Sequence, residues 1–304
     1  MRTSAFAILL SAMLLILTAC GGSSPASAPA SGPLTGNWQI TMLQQYPGQA
    51  TTLGVSGFLS QSNDALTGSV EGPSILSTNG QNLNCGGTAQ VAGTVSGQNV
   101  SFTENIGGTT YNFSGTISSD NQSMSGDFQA LAGACFKDPT SGTWDAFLIP
   151  PLNGNFTGSL TDSSYMAELL GVSTAPPITV SGSLSQSSNA GGSNASITGT
   201  INAVGYPCFS TVSVTGTISG QNVYLDVFSY TGEQIGTLGK AASSIGVAGA
   251  PATVVSTSNG LSLVDNTSGD ALFLGVNTPG PCAPLNDGGL TVTGDSTNVV
   301  FNFQ

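Results

Sequence analysis

The chain reads as an all-β protein built from two tandem antiparallel meander units, and three observations carry that reading. Short runs of Val, Ile, Leu, Phe, Thr and Tyr alternate with Ser, Thr or Asn in a period of two, the pattern of half-buried strands. Turn residues punctuate these runs, and amphipathic patterns of helix length are scarce; Ser163 to Gly171 could form a turn or two. Finally, the same motifs recur in the same order in both halves of the chain.

The first element is an address. Arg2 forms a short positive region and Ala5 to Leu17 an apolar run too short to span a membrane comfortably, which needs about 20 residues. Leu17-Thr18-Ala19-Cys20 then resembles the lipobox of bacterial lipoproteins. The resemblance implies a signal peptide over residues 1–19, cleavage before Cys20, and a diacylglyceryl group on its thiol. The competing reading is a secretory peptide cleaved after Ala26-Ser27-Ala28, with Cys20 incidental. Gly21, rather than an aspartate, follows Cys20, which in Gram-negative lipoproteins implies export onward to the outer membrane. In the segment 20–33, Cys20 is followed by Gly, Ser, Pro and Ala with no large apolar side chain, a linker that would hold the folded part about 20 Å from its anchor.

Composition narrows the partners. Only 6% of residues are charged, so solvent-facing positions must be largely Ser, Thr, Asn and Gln. Once Arg2 leaves with the signal, Lys137 and Lys240 face fifteen acidic residues. Nucleic acid, which needs clustered Lys and Arg, is excluded, and so is attraction to anionic headgroups. Membrane attachment must come through the lipid on Cys20.

Beyond the linker the repeat sets the architecture. Gly57-Phe58-Leu59-Ser60-Gln61-Ser62 returns as Gly182-Ser183-Leu184-Ser185-Gln186-Ser187, Leu66 to Val70 as Ile197 to Ile201, and Gly93 to Val100 as Gly216 to Val223. Cys85 and Cys208 lie at the same offset before Gly93 and Gly216, and each half opens with an aromatic after Leu-x-Gly-Asn, at Trp38 and Phe156. Two homologous units follow, 34–150 and 152–304, joined at Pro150-Pro151. In the first, strands are expected near 36–43, 54–61, 65–71, 87–95, 99–105, 110–118, 123–130 and 142–149. Asn63-Asp64 and Asp120-Asn121 suit type I′ turns, and Gly97-Gln98 and Gly220-Gln221 type II′ turns. Eight consecutive strands leave two open edges unless the sheet closes, so an up-and-down β-barrel is expected, with a β-sandwich as the alternative. The second unit is longer between Gly216 and Cys282 than the first between Gly93 and Cys135. Its insertion, containing Gly239 to Ser244 and Gly246 to Ala252, is expected as a loop, either a surface excursion or a binding loop at a barrel mouth.

Leu34-Thr35-Gly36-Asn37-Trp38, followed by Ala65 to Val70, resembles the opening strands of avidin-like and lipocalin-like small barrels, where a G-x-W closes one barrel end. The resemblance implies architecture and not biotin binding, because Trp38 and Trp144 are the only tryptophans and Phe156 replaces the first of them in the second unit. Both indoles are expected in the core, with stacking platforms for sugars or flat ligands as the other role.

Chemistry is constrained mainly by what is missing. There is no histidine, which removes Ser-His-Asp and Cys-His catalysis and histidine-ligated zinc. Thr237-x-x-Lys240 only approaches a Ser-Lys pattern. Residues 235–241 lack both the first glycine and the Ser or Thr of a phosphate loop, and Asp120 to Gly126 lacks EF-hand spacing. No metal site or cofactor is expected. Asp127, Asp145 and Asp226 fall in or near strands, where exposed acids are ordinary. The expected role is therefore that of a non-catalytic, lipid-anchored cell-envelope protein with a structural or interaction role. The alternative is a barrel binding a small apolar ligand or an envelope glycan; a carboxylate-based hydrolase comes last. Four cysteines remain after Cys20, and the repeat assigns two to each unit, giving Cys85–Cys135 and Cys208–Cys282 in an oxidising compartment. Non-reducing peptide mapping should recover one crosslink within each unit; a Cys85–Cys208 or Cys135–Cys282 peptide overturns the pairing.

Overall fold

The computed structural model of the chain describes residues 32–46, 49–72, 76–78, 81–83, 86–134, 136, 138–161, 177–188, 191–205, 210–228, 230–232, 234–238, 252–257, 260–265, 272–274 and 298–303. Its first ten strands are β1 (Gly36–Tyr46), β2 (Gln49–Ser62), β3 (Ala65–Gly72), β4 (Leu76–Thr78), β5 (Gln81–Leu83), β6 (Gly87–Ser96), β7 (Asn99–Ile106), β8 (Thr109–Ile117), β9 (Ser123–Ala130) and β10 (Thr140–Ile149). Eight of them form a closed antiparallel barrel, β1-β2-β3-β6-β7-β8-β9-β10, with β10 pairing back onto β1 through Asn37↔Ile149 to Gln44↔Gly142. All eight expected strands are present, and they form a barrel, not a sandwich. The β4–β5 hairpin between β3 and β6 had no counterpart among the expected strands.

Alternation decides which residues fill the barrel. Along β7 every second side chain is buried, so Val100, Phe102, Glu104 and Ile106 face inward while Asn99, Ser101, Thr103 and Asn105 face water. The same parity turns Trp38, Ile40, Met42 and Gln44 inward on β1, and Tyr111, Phe113 and Ile117 on β8. Glycines occupy inward positions where strands crowd. A Cβ at Gly93 would strike the carbonyl of Ser101, and one at its repeat partner Gly216 the carbonyl of Tyr224. At Gly182 it would lie 2.6 Å from the ring of Phe156, which packs across the bare backbone.

Two of the turn assignments need correction. Among the described residues, Asn63 and Asn121 are the non-glycine positions with positive φ, so Asp64 and Asp120 do not take the second left-handed conformation that a type I′ turn requires. The 118–122 connection is a wider loop, organised by Asp120, whose carboxylate accepts from Ser118 Oγ (2.6 Å) and from the Gln122 amide (3.1 Å). Both hydrogen bonds, the Ser118 one foremost, lower the Asp120 pKa. Gly97 and Gly220 do take positive φ at the first turn position. Ser163–Gly171 lies outside the described residues.

The second sheet comprises β11 (Gly154–Thr161), β12 (Ile178–Gln186), β13 (Ala195–Ala203), β14 (Thr211–Ser219), β15 (Asn222–Phe228), β16 (Gln234–Leu238), β17 (Ala252–Thr257), β18 (Gly260–Asp265), β19 (Leu272–Leu274) and β20 (Asn298–Phe303). Its pairings also return to their start: β11-β12-β13-β14-β15-β17-β18-β20-β11. Register repeats with the sequence. Trp38 opposes Gly57 and Leu148 in the first ring, and Phe156 opposes Gly182 and Phe303 in the second. The insertion expected between Gly239 and Ala252 lies outside the described residues up to residue 251. Strand β8 runs unbroken along β7, whereas β15 pairs with β17 at Asn222–Val223 and with β16 at Leu225–Phe228. The partner of β15 therefore changes from β17 to β16 at the level where β8 of the first barrel has Ser114, and β16 pairs with β19 on its other side.

The two barrels meet through a polar seam. The Asn37 carboxamide grips Gly220 at both backbone groups, donating to its carbonyl (2.8 Å) and accepting from its N–H (2.7 Å), in a buried setting. Gln221 N–H donates to Gln39 Oε1 (3.2 Å), Ser56 and Ser219 share a hydrogen bond of 3.0 Å, and Glu71 accepts from Ser193 and Asn194 at 3.3 Å. Gly220 needs its positive φ to present both backbone groups, and a side chain there would run into Gln39. Its counterpart Gly97 turns in open space. Asn37→Ala strands two buried backbone groups and should lower stability by about 2–4 kcal/mol. Asn155→Ala, at the exposed equivalent position, should shift it by less than about 0.5 kcal/mol. Urea unfolding of both variants checks the contrast; equal effects would remove the seam from the stability argument.

Candidate functional site

The first barrel has one closed end, an aromatic waist and one polar end. Gln61, the last inward residue of β2, closes the first. Its side-chain carbonyl accepts from Leu34 N–H (3.2 Å), its amide nitrogen donates to the Asn63 carbonyl (2.9 Å), its own N–H donates to Thr35 Oγ1 (3.0 Å), and its backbone carbonyl accepts from Gly32 N–H (2.8 Å). Trp38 Nε1 donates to the Leu34 carbonyl at 3.0 Å, so the indole seals the lumen with its polar edge satisfied. The second barrel uses the same clasp: Leu152 N–H donates to Gln186 Oε1 (3.0 Å), and Gln186 N–H to Asn153 Oδ1 (2.7 Å).

At the waist, Phe102 and Phe113 stack with centroids 4.5 Å apart, and Trp144 meets both edge-on at 5.4 and 5.6 Å. Its N–H donates to the carbonyls of Ser114 (3.1 Å) and Asp127 (3.2 Å). Both tryptophans thus serve the core, with no face turned to solvent.

The far end is different. Gln44 and Glu104 face the interior, each two positions before its strand ends there, on β1 and β7. Glu104 is only 2% exposed, and both its carboxylate oxygens lack a hydrogen-bond partner. Burial pushes its pKa up to about 8 from the usual 4.5, so the group is a neutral acid at pH 7. Gln44 is fully buried; its amide nitrogen donates to Thr140 Oγ1 at 2.7 Å, and its oxygen is unpartnered. Tyr111, directly across from Glu104 in the β7–β8 ladder, forms an aromatic wall with Phe128 (6.3 Å) and Phe136 (6.4 Å).

Outside the lumen, a cleft of about 680 Å³ runs where β2 and β3 meet the Pro151–Asn153 and Gln186–Gly191 segments. Its lining, which includes Phe58, Ser60, Gln90 and Asn153, carries no ionisable side chain. A groove of about 440 Å³ lies along the seam beside Glu71 and Tyr224; burial, then the Glu71 charge, raises the Tyr224 phenol pKa.

No family model, curated protein or solved structure matches this chain.

Of the residues singled out from sequence, Cys20, Cys85, Cys135, Cys208 and Cys282 lie outside the described residues, as do Lys137, Lys240 and residues 1–19. Asp127 and Asp145 are exposed on the outer wall, and Asp226 is half-buried on β15. Among the described residues no three His, Cys, Asp or Glu side chains converge to hold a metal. Sequence reading missed Glu104 and Gln44, although Glu104 shares its strand parity with Val100, Phe102 and Ile106.

A protonated acid in the folded state has a definite signature. The folded chain holds this proton up to about pH 8 while the unfolded chain releases it near 4.5, so this group's contribution makes stability fall as pH rises between those values. The loss is up to about 1.4 kcal/mol per pH unit. Glu104→Gln keeps shape and neutrality and should flatten the decline, leaving the variant the more stable protein at pH 8. Denaturant midpoints at pH 5, 6.5 and 8 test this; an unchanged slope would show that another group sets it.

Proposed function

We propose that this chain is a bacterial envelope lipoprotein, tethered through a lipid on Cys20, whose two barrels serve a structural or interaction role and perform no chemistry of their own. The observation that carries this reading is the apolar run ending in Leu17-Thr18-Ala19-Cys20, followed by a linker with no core-forming residue. Gly21 favours the outer membrane as destination. The packed waist supports a scaffold over a through-lumen apolar binder, because Trp38, Trp144, Phe102 and Phe113 occupy the space a long apolar ligand would need. The outward faces of β6–β9 present Ser, Thr, Asn and Gln, which suits contact with water and with neutral hydroxylated partners.

The same setting favours the Cys85–Cys135 and Cys208–Cys282 bridges. Cys85 belongs to the β3–β6 connection and Cys135 to the β9–β10 connection, and both connections leave from the Glu104 end of the first barrel. Cys208 and Cys282 belong to the corresponding connections, β13–β14 and β19–β20. A bridge closing loops of this size contributes about 2–4 kcal/mol.

Cell fractionation of Cys20→Ser tests the anchor. The variant should leave the membrane fraction for the soluble one; retention equal to the parent would end the lipoprotein assignment.

A further inference from the structure

We infer that the interior of the first barrel, at the end where Gln44 and Glu104 face the lumen, is a recognition site for a small primary amine in its ammonium form. Gln44 Oε1 and the two oxygens of Glu104 are the buried side-chain N and O atoms without a hydrogen-bond partner among the described residues. All three are acceptors, and they belong to inward-facing side chains at the same end of one barrel. Leaving a buried acceptor unpaired costs about 1–3 kcal/mol, more for a charged group, so a chain that keeps three at one end of a barrel carries a cost that a ligand can offset.

The chemistry of the site selects the ligand. The Gln44 amide nitrogen already donates to Thr140, so its oxygen is the atom of this side chain left without a partner. The complement of three acceptors is a head group with N–H donors and no lone pair, which describes an ammonium. An alcohol or sugar would gain only neutral hydrogen bonds from a protonated Glu104, and a carboxylate would be buried without a counter-charge, whereas an ammonium brings the counter-charge for the carboxylate it creates. The rings of Tyr111, Phe128 and Phe136 suit an adjacent cation, since aromatic faces attract positive charge. Tyr111 is the one other titratable group among the described inward-facing residues, and it opposes Glu104.

Binding exchanges one positive charge for another. In the free protein Glu104 is a neutral acid at pH 7. When an ammonium enters, the carboxyl O–H bond breaks, the proton passes to solvent, and the resulting carboxylate accepts hydrogen bonds from the ammonium, which keeps its own protons. A cation within a few ångströms favours the ionised form, so the two events are coupled. Affinity should therefore rise between pH 6 and 8, as less protonated acid has to be discharged.

The test uses the soluble Cys20→Ser full chain and three probes with one hydrocarbon and different head groups: n-butylamine, n-butanol and butyrate. In thermal melts at pH 6.5 only the amine should raise the midpoint. Calorimetry at that pH in two buffers of different ionisation enthalpy should show about one proton released per amine bound. Glu104→Gln should weaken binding at least tenfold and abolish proton release, with Trp144 fluorescence reporting that the barrel is intact. Gln44→Met, which keeps the shape and removes the acceptor, provides a second reading should Glu104→Gln fold poorly; a several-fold loss is expected. Equal shifts with amine and alcohol, amine binding without proton release, undiminished binding by either variant, or no amine effect at millimolar concentration would each overturn the assignment.

Discussion

Closure is the constraint on which the rest depends. A sheet that returns to its first strand must satisfy every register at once, because each ladder fixes the phase of the next and the last has to meet β1. Side chains alternate with a period of two, so a slip of one residue anywhere would turn Trp38, Phe102 and Trp144 toward water and the hydroxyl face inward. The inward glycines belong to the same constraint: they let neighbouring backbones approach where the wall bends. The Gln61 and Gln186 clasps finish the job by holding the incoming chain against a barrel end whose first backbone groups would otherwise be unpaired. This gives the repeated motifs a physical meaning. Leu-x-Gly-Asn and Leu-Ser-Gln-Ser recur because the residues of one hydrogen-bond the residues of the other.

What could be read from the residues followed the range of the interactions involved. The eight strands of the first barrel were legible because alternation and turn residues are local. The turn types at Asn63 and Asp120 were less so, because a short loop and a wider one share the same small polar residues, and side-chain bonds such as Ser118 to Asp120 decide between them. Two features lay further from view. The grip of Asn37 on Gly220 joins residues 183 positions apart, and nothing in either motif separates a turn that docks from one that projects into water. Glu104 carries a local signal, an acid in phase with Val100, Phe102 and Ile106, that sequence reading passed over, and that it stays unpartnered depends on the strands around it.

The second barrel shows how much change a register can absorb. Its ring matches the first pairing by pairing from β11 to β15 and again from β17 to β20, with β16 and β17 together opposite β15 where the first barrel has β8 alone. Splitting one strand into β16 and β17 keeps the ladder on both sides of the break. On the side away from β14, hydrogen bonds of β15 are shared between two segments, where β7 gives those on the side away from β6 to β8. A wall strand in two segments is therefore compatible with closure, provided both segments keep the same phase.

The clasp at Gln61 also determines how the folded part would respond to being pulled. Any tension along the chain preceding Gly32 reaches the barrel where four hydrogen bonds converge on a single side chain and its backbone. Beyond them lies β1, bonded along its length by β2 on one side and by β10 on the other. A load applied along β1 must shear two ladders together, a far more resistant geometry than peeling an edge strand bond by bond. A closed wall offers no edge from which to start. The repeat thus places its strongest fastening at the point where a tether would meet the fold.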